Sequence, residues 1–462
     1  MSTNKAPSSY KDPSGFVFFQ NDKILRQVNK TYKSDYDLLI KSGLYQKLVE
    51  LELLVPHKEL NLKGTAEAYK ILEPQVIPFI SYPYEWCFSQ LKDAALLTLK
   101  IQKTALDYGM SLKDATSFNI QFLGGKLVFI DTLSFEKYKP NVPWVAYRQF
   151  CEQFLSPLAL FALKDVRLNT IMEAHAGSIP LNLAAKLLPA SAKVKPSLLI
   201  HILLHARSQK KYSEATLIKK PKKNFSKRAF IGLIDSLEGA VKSLKLKTDK
   251  TVWTNYYDPN DHGSYQDESL AKKKEIVAKF IDVAQPKTLW DVGANTGVYS
   301  QIAADKNIFT VSFDNDHTVI EQNYLRMKKQ KEKNILPLWV DVVNPTPAIG
   351  WENMEREAFL TRPHPDMALA LAVIHHLAIS NNLPLGHLAE FFSKICRTLI
   401  IEFIPKEDYR VKLLLQSRED IFDSYNQKSF EKEFAMYFSI VKKTQLPNSK
   451  RTLYLFKIKA KA

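Results

Sequence analysis

Residues 287–300 read KTLWDVGANTGVYS. Leu289 and Trp290 lead into Asp291, Gly293 and Gly297 follow, and Val298 opens the run Val-Tyr-Ser-Gln-Ile-Ala-Ala. The pattern predicts a buried strand, a tight glycine turn, and a helix whose N-terminus points back at whatever lies over the turn. Glycine suits the turn because the backbone must reverse sharply and let a ligand approach, and a Cβ would obstruct both. The dinucleotide fingerprint G-x-G-x-x-G is absent, since Asn295 and Val298 stand at its second and third glycines. What remains is D-x-G-x-x-x-G.

Strand-like and helix-like runs alternate around this stretch. Ser269–Val283 is an amphipathic helix expected to be capped by Ser269. Strands are expected at Thr288–Asp291, Phe309–Asp314, Ile335–Asp341, Asp366–Ile374 and Thr398–Ile404, with a helix at His317–Lys329. Phe438–Leu446 and Thr452–Lys459 form a closing antiparallel pair. Such alternation argues for an α/β fold with a doubly wound, mainly parallel sheet of seven strands from about Thr251 to the C-terminus.

The D-x-G-x-x-x-G turn resembles motif I of the Rossmann-like (class I) S-adenosylmethionine (SAM) methyltransferases. The resemblance implies that Asp291, Gly293, Asn295 and Gly297 bind SAM. Asp314 ends the second strand, where a carboxylate can accept from both ribose hydroxyls; the alternative is a cap for the helix at His317. Asp341 ends the third strand, where this family often has an acid or amide facing the adenine amine, although loop acids are common. Strand four, DMALALAVIHH, is apolar enough to be central and delivers His375 and His376 to its carboxyl end. A histidine there can take a proton from an acceptor hydroxyl, or simply order the loop. Adjacent histidines on a strand should point apart, one to the pocket and one to the protein. A metal is not expected, because no further ligand cluster is visible.

Glu402 and Lys406 follow strand five and are candidate substrate contacts. With NPTPAIGW (344–351), Arg362 and HHLAISNNLPL (375–385), this region resembles the nodulation-protein (NoeA-like) methyltransferases, well over roughly the last 200 residues and only loosely in the N-terminal half. The resemblance implies SAM-dependent methyl transfer, with a saccharide or small-molecule hydroxyl as acceptor. A nicotinamide oxidoreductase and a non-catalytic module holding an anionic partner stay open.

The first 205 residues read as a separate α+β domain. Short strands are expected in Val17–Asn29, a helical stretch in Asp35–Leu54, and a long helix at Trp86–Tyr108. A hairpin, NIQFLGGKLVFID, turns at Gly124-Gly125. Asp114, Asn119 and Asp131 stand as D-x4-N-x11-D around it, similar to the catalytic and metal-binding segments of protein-kinase-like enzymes. Leu112 replaces the usual histidine there, Asp131-Thr-Leu replaces Asp-Phe-Gly, and no glycine-rich phosphate loop is present. The domain's role is left open, with a degenerate kinase-like fold as one reading and chance spacing as the other; magnesium-dependent ATP binding is not expected.

Composition sets the outer limits. At 462 residues, with 45% hydrophobic and 11% aromatic content, the chain is long and apolar enough for two cored domains. The start MSTNKAPSSYKDPSG has no apolar signal core, and no uncharged apolar run is long enough to span a bilayer, so the chain reads as cytoplasmic. Three scattered cysteines exclude a disulfide framework and a cysteine zinc site. The net charge of +17 is concentrated between Arg207 and Lys250, where 13 Lys or Arg stand against 4 Asp or Glu. Residues 206–250 are expected to be a basic, Lys-rich linker or helix exposed to solvent; nucleic acid is the other reading, less favoured for lack of interleaved aromatics.

Overall fold

The computed structural model describes residues 4–213, 225–247, 251, 253, 267–416 and 418–460. The chain divides into two compact units, Met1–Lys247 with Pro347–Glu357, and Thr248–Thr346 with Ala358–Ala462.

The first unit opens with a five-stranded antiparallel sheet made by Asn4–Lys5, Gly15–Gln20, Lys23–Asn29, Ala68–Pro74 and His57–Leu60, in that order across the sheet. Helices Lys33–Lys41 and Leu44–Glu50 lie in sequence between its third strand and the next. After a proline-broken stretch comes the long helix Phe88–Asp107, which buries Leu91, Ala95, Leu99, Ile101 and Leu106. The hairpin Ile120–Leu123 with Lys126–Phe129 turns at Gly124 and Gly125, both at positive φ. Asp114, Asn119 and Asp131 are each engaged by protein groups. Asp131 pairs with Arg26 and accepts from Ser134 Oγ and the Leu133 N–H. Asn119 Nδ2 donates to Ser134 Oγ (3.0 Å), and Asp114 accepts from Gln149 Nε2 (2.7 Å). Burial, and then the charge of Asp131, raises the Asp114 pKa. Among the described residues no group of three or more His, Cys, Asp or Glu is placed to hold a metal ion.

Of the basic 206–250 segment, expected as linker or helix, Lys227–Ser243 is a helix burying Phe230, Ile234, Leu237 and Val241. Its apolar residues recur at threes and fours, so one face packs while the lysines stay outside. Residues 214–224 and 248–250 lie outside the described residues. One boundary differs from expectation: Pro347–Glu357, placed in the methyltransferase-like half, packs as part of the first unit. Lys11 pairs with Glu355 (2.7 Å), the Arg356 guanidinium lies 4.0 Å over the Phe118 ring, and the Glu357 N–H donates to Tyr82 Oη (2.9 Å).

The second unit holds a seven-stranded sheet: β1 Thr288–Val292, β2 Phe309–Asp314, β3 Ile335–Trp339, β4 Met367–Ala370, β5 Thr398–Phe403, β6 Phe438–Gln445 and β7 Thr452–Ile458. Their spatial order is β3-β2-β1-β4-β5-β7-β6. All pairs among the first five are parallel, and β7 runs antiparallel to both β5 and β6. This is the doubly wound arrangement expected. The helices are α1 Asp267–Ala284, α2 Val298–Ala304, α3 His317–Gln330, α4 Leu385–Ile395, α5 Tyr409–Gln416 and α6 Gln427–Ala435. Because α1 starts at Asp267, Ser269 lies inside its first turn and is not the cap. The apolar stripe of α1 (Ile276, Val277, Phe280, Ile281) packs on Leu289, Leu369, Ile400 and Leu455 from four neighbouring strands. Burying each such side chain stabilises the fold by roughly 1.5–3 kcal/mol. The chain winds outward from β1 through β2 to β3 and then returns to β4 on the other side. A crevice opens at the carboxyl ends of β1 and β4, where doubly wound sheets bind ligands.

Candidate functional site

The turn after β1 builds the floor of that crevice. Gly293 has φ +69°, and a Cβ there would sit 3.0 Å from Val373 Cγ2. Asn295 is also left-handed, at φ +52°, a conformation asparagine tolerates better than most residues. Its backbone N–H donates to Asp314 Oδ2 (2.9 Å), and its side-chain amide donates to the Trp253 carbonyl (3.0 Å).

Asp314 leaves the end of β2 and accepts a second backbone N–H, from Asp316, on Oδ1 (3.0 Å). Each oxygen therefore keeps a lone pair for a ligand. The helix-cap alternative falls to Asp316, whose carboxylate accepts from Thr318 and Val319 at the start of α3. Burial pushes the Asp314 carboxyl up to about 6, against the pull of backbone donors from Asp316, Asn295 and Asn315. Asp341, after β3, lines the same cavity and accepts from the Val343 N–H (2.9 Å).

His375 and His376 line the cavity from the other side of β1. Their rings are 4.1 Å apart between centroids, not divergent as a strand would hold them. β4 has already ended at Ala370, and the pair sits in the first turn of a helical segment, where neighbouring side chains are separated by about 100° rather than 180°. His375 is buried, with no partner for Nδ1, and His376 is half-buried with its ring edge-on to Trp253 at 5.1 Å. Burial, and then the cation Arg410, lowers His376 to about 4; burial and its neighbours also lower His375 well below the usual histidine range. Both imidazoles are thus neutral near pH 7, and a titration limb at pH 6–7 is not theirs.

The cavity is about 560 Å³ and lies wholly in the second unit. Val340, Val342, Leu371, Leu377, Leu413 and Leu414 give it apolar walls, and Ser380, Asn381 and Arg410 add polar groups beside the histidines. It is of the size and character of a small-molecule site.

No protein-family model matches the chain. Nodulation protein NoeA of Rhizobium meliloti (strain 1021) is 34% identical over 464 aligned positions, spanning 98% of this chain and 96% of NoeA. The chain belongs to the NoeA family. Among solved structures it is similar to magnesium protoporphyrin IX methyltransferase (ChlM) from Synechocystis PCC 6803 with bound SAH, at 12% identity over 45% of this chain and 93% of that one (TM-score 0.33). It is also similar to the bifunctional kinase-methyltransferase WbdD, at 15% identity over 43% of this chain and 42% of that one (TM-score 0.31). The fold of this NoeA-family chain rests on its strand order and register. The relationship to NoeA also extends through the N-terminal half, where the sequence suggested it only loosely.

Four expected contacts lie off the cavity wall. Asp291 is buried behind the turn, where its carboxylate accepts from Ser300 Oγ (2.6 Å) and ties β1 to α2. Burial raises that carboxyl to about 6, Ser300 pulling it back and the charge of Asp314 adding to the rise. Gly297 is required by packing: at φ +76°, its Cβ would meet the Asn323 amide of α3 at 2.5 Å. Glu402 points into the sheet–helix interface and pairs with Lys273 of α1 (2.6 Å), both side chains fully buried. Lys406 pairs with Asp420 (2.7 Å). Trp253, Ala372, Arg410 and Leu414 line the site with no motif to announce them. Ala372, directly after β4, has φ +54°. Such a backbone costs an alanine about 1–2 kcal/mol, so Ala372→Gly is expected to stabilise the unit by about 1 kcal/mol, measured by thermal unfolding. An unchanged or lower melting temperature would show that the strain is not there to relieve.

No helix of the described residues is long and apolar enough to cross a membrane.

Proposed function

We propose that the second unit is a SAM-dependent methyltransferase acting on a hydroxyl of a saccharide or another small molecule. The supporting observation is Asp314, a carboxylate fixed by two backbone N–H groups at the floor of a cavity at the sheet's switch point. The residues present fit the cofactor. Gly293 leaves the space a Cβ would fill against Val373, Asp314 offers paired acceptors to ribose hydroxyls, and Asp341 offers an acceptor to the adenine amine. When bound, SAM supplies an electrophilic methyl group. His376, neutral and partly exposed at the cavity, accepts the acceptor's proton on a ring nitrogen. Ser380, Asn381 and Arg410 orient a hydroxyl-bearing acceptor, while Leu413 and Leu414 keep water out. Positioning provides most of the acceleration and the base the remainder. A nicotinamide reading has no glycine fingerprint to rest on, and we place no nucleic-acid partner on the basic segment.

Asp314→Ala is expected to weaken SAM binding by about 1–3 kcal/mol through lost charge-assisted hydrogen bonds. In the wild type, affinity should be full above about pH 7, where the carboxylate is ionised, and should fall as pH drops through its pKa of about 6. The variant should lose that pH dependence. Calorimetry at several pH values tests both, and unchanged affinity in Asp314→Ala would remove the ribose assignment.

A further inference from the structure

We propose that Trp253 is the aromatic group that receives the positively charged sulfonium of SAM, so that the chain holds SAM more tightly than its neutral thioether product. The inference rests on the SAM reading above and adds a residue and a selectivity to it. Trp253 lines the cavity, and its carbonyl is held by the Asn295 side chain at 3.0 Å. The same asparagine gives its backbone N–H to Asp314. One residue of the glycine turn therefore fixes both the ribose carboxylate and the backbone that carries the indole. The indole is 5.1 Å from the ring of His376 and nearly perpendicular to it, which places it at the histidine end of the cavity, where the acceptor would meet the methyl group.

Phe313, also at the cavity, is turned into the core, with its ring 5.8 Å from Trp290 and 5.1 Å from Phe359. Among the described residues, Trp253 is thus the aromatic ring that stands with the histidines. The carboxylates lining the cavity, Asp314 and Asp341, lie after β2 and β3, so among the described residues of the histidine end the attraction for a cation falls to an aromatic face, which must also offset Arg410. An aromatic face attracts a cation through its quadrupole, by about 0.5–2 kcal/mol, tryptophan most strongly. It does so without presenting a lone pair for the methyl group to alkylate, as a desolvated carboxylate would. Once the methyl group has left, sulfur is a neutral thioether and the attraction is gone, which favours product release.

The test is calorimetric titration of the full chain with SAM and, separately, with S-adenosylhomocysteine, for wild type, Trp253→Phe and Trp253→Leu. Trp253→Leu is expected to weaken SAM by about 3- to 30-fold and the thioether far less, with Trp253→Phe in between. Circular dichroism and thermal melts confirm that each variant is folded. Equal weakening of both ligands would reduce Trp253 to a shape contact, and no change in either would remove it from the site; both overturn the inference and leave the SAM reading standing. A folded wild type that binds neither ligand would overturn the SAM reading itself, and this inference with it.

Discussion

Substitution of His376 by alanine is expected to lower methyl transfer by about 10²–10⁴-fold while leaving SAM affinity nearly intact. The ring is the half-buried member of a histidine pair at the mouth of the carboxyl end of β4, beside the polar groups that would hold an acceptor. Its lowered pKa, about 4, fixes the shape of the pH profile. A base must be neutral to accept a proton, so its limb should rise through pH 4 and be flat above pH 5–6 when SAM is saturating. With SAM limiting, a second fall should appear below pH 6 as Asp314 takes up its proton. The measurement is transfer of labelled methyl from SAM to a panel of saccharide and small-molecule hydroxyls. Near-normal turnover in His376→Ala would assign proton removal to His375 or leave catalysis to positioning. His375→Ala separates those two outcomes.

Replacing Lys273 by methionine is expected to destabilise the second unit by roughly 3–5 kcal/mol, because it strands the Glu402 carboxylate in the interior. The pair bridges α1 and β5 at 2.6 Å, with side-chain exposures of 1% and 0%. Arg451, itself bound to Asp408 at the start of α5 (2.7 Å), reaches no closer than 3.9 Å to Glu402 and does not replace the lysine. For a unit of this size the change corresponds to a melting shift on the order of 10 °C. Lys273→Met with Glu402→Leu should recover most of the loss, since removing both charges removes the desolvation cost as well. A Lys273→Met protein that melts like wild type would return Glu402 to the list of acceptor contacts.

The glycine turn, the strand sequence and the place of Asp314 at the end of β2 were legible because each is local: period, turn chemistry and the end of an apolar run are short-range signals. The destination of Glu402 was not legible. A strand sequence gives its end but not which buried face meets a helix from 129 positions earlier. Of the three lysines 272–274, only the middle one is buried, and composition cannot single it out. The histidine geometry failed on one assumption, that the strand continued to Ile374; with β4 ending at Ala370, the period changed from two to that of a helix. The bounds of helix Lys227–Ser243 within the segment expected as linker or helix were obscured by its charge, although Phe230, Ile234, Leu237 and Val241 are spaced for packing. Trp253 had no signal at all, because its place depends on an asparagine 42 positions away.

Calorimetry of the purified full chain with SAM and with NAD tests the account most directly. A saturable, single-site titration with SAM, weakened by Asp314→Ala, and no heat with NAD is the predicted result. Binding of NAD in place of SAM, or SAM binding indifferent to Asp314, would contradict it.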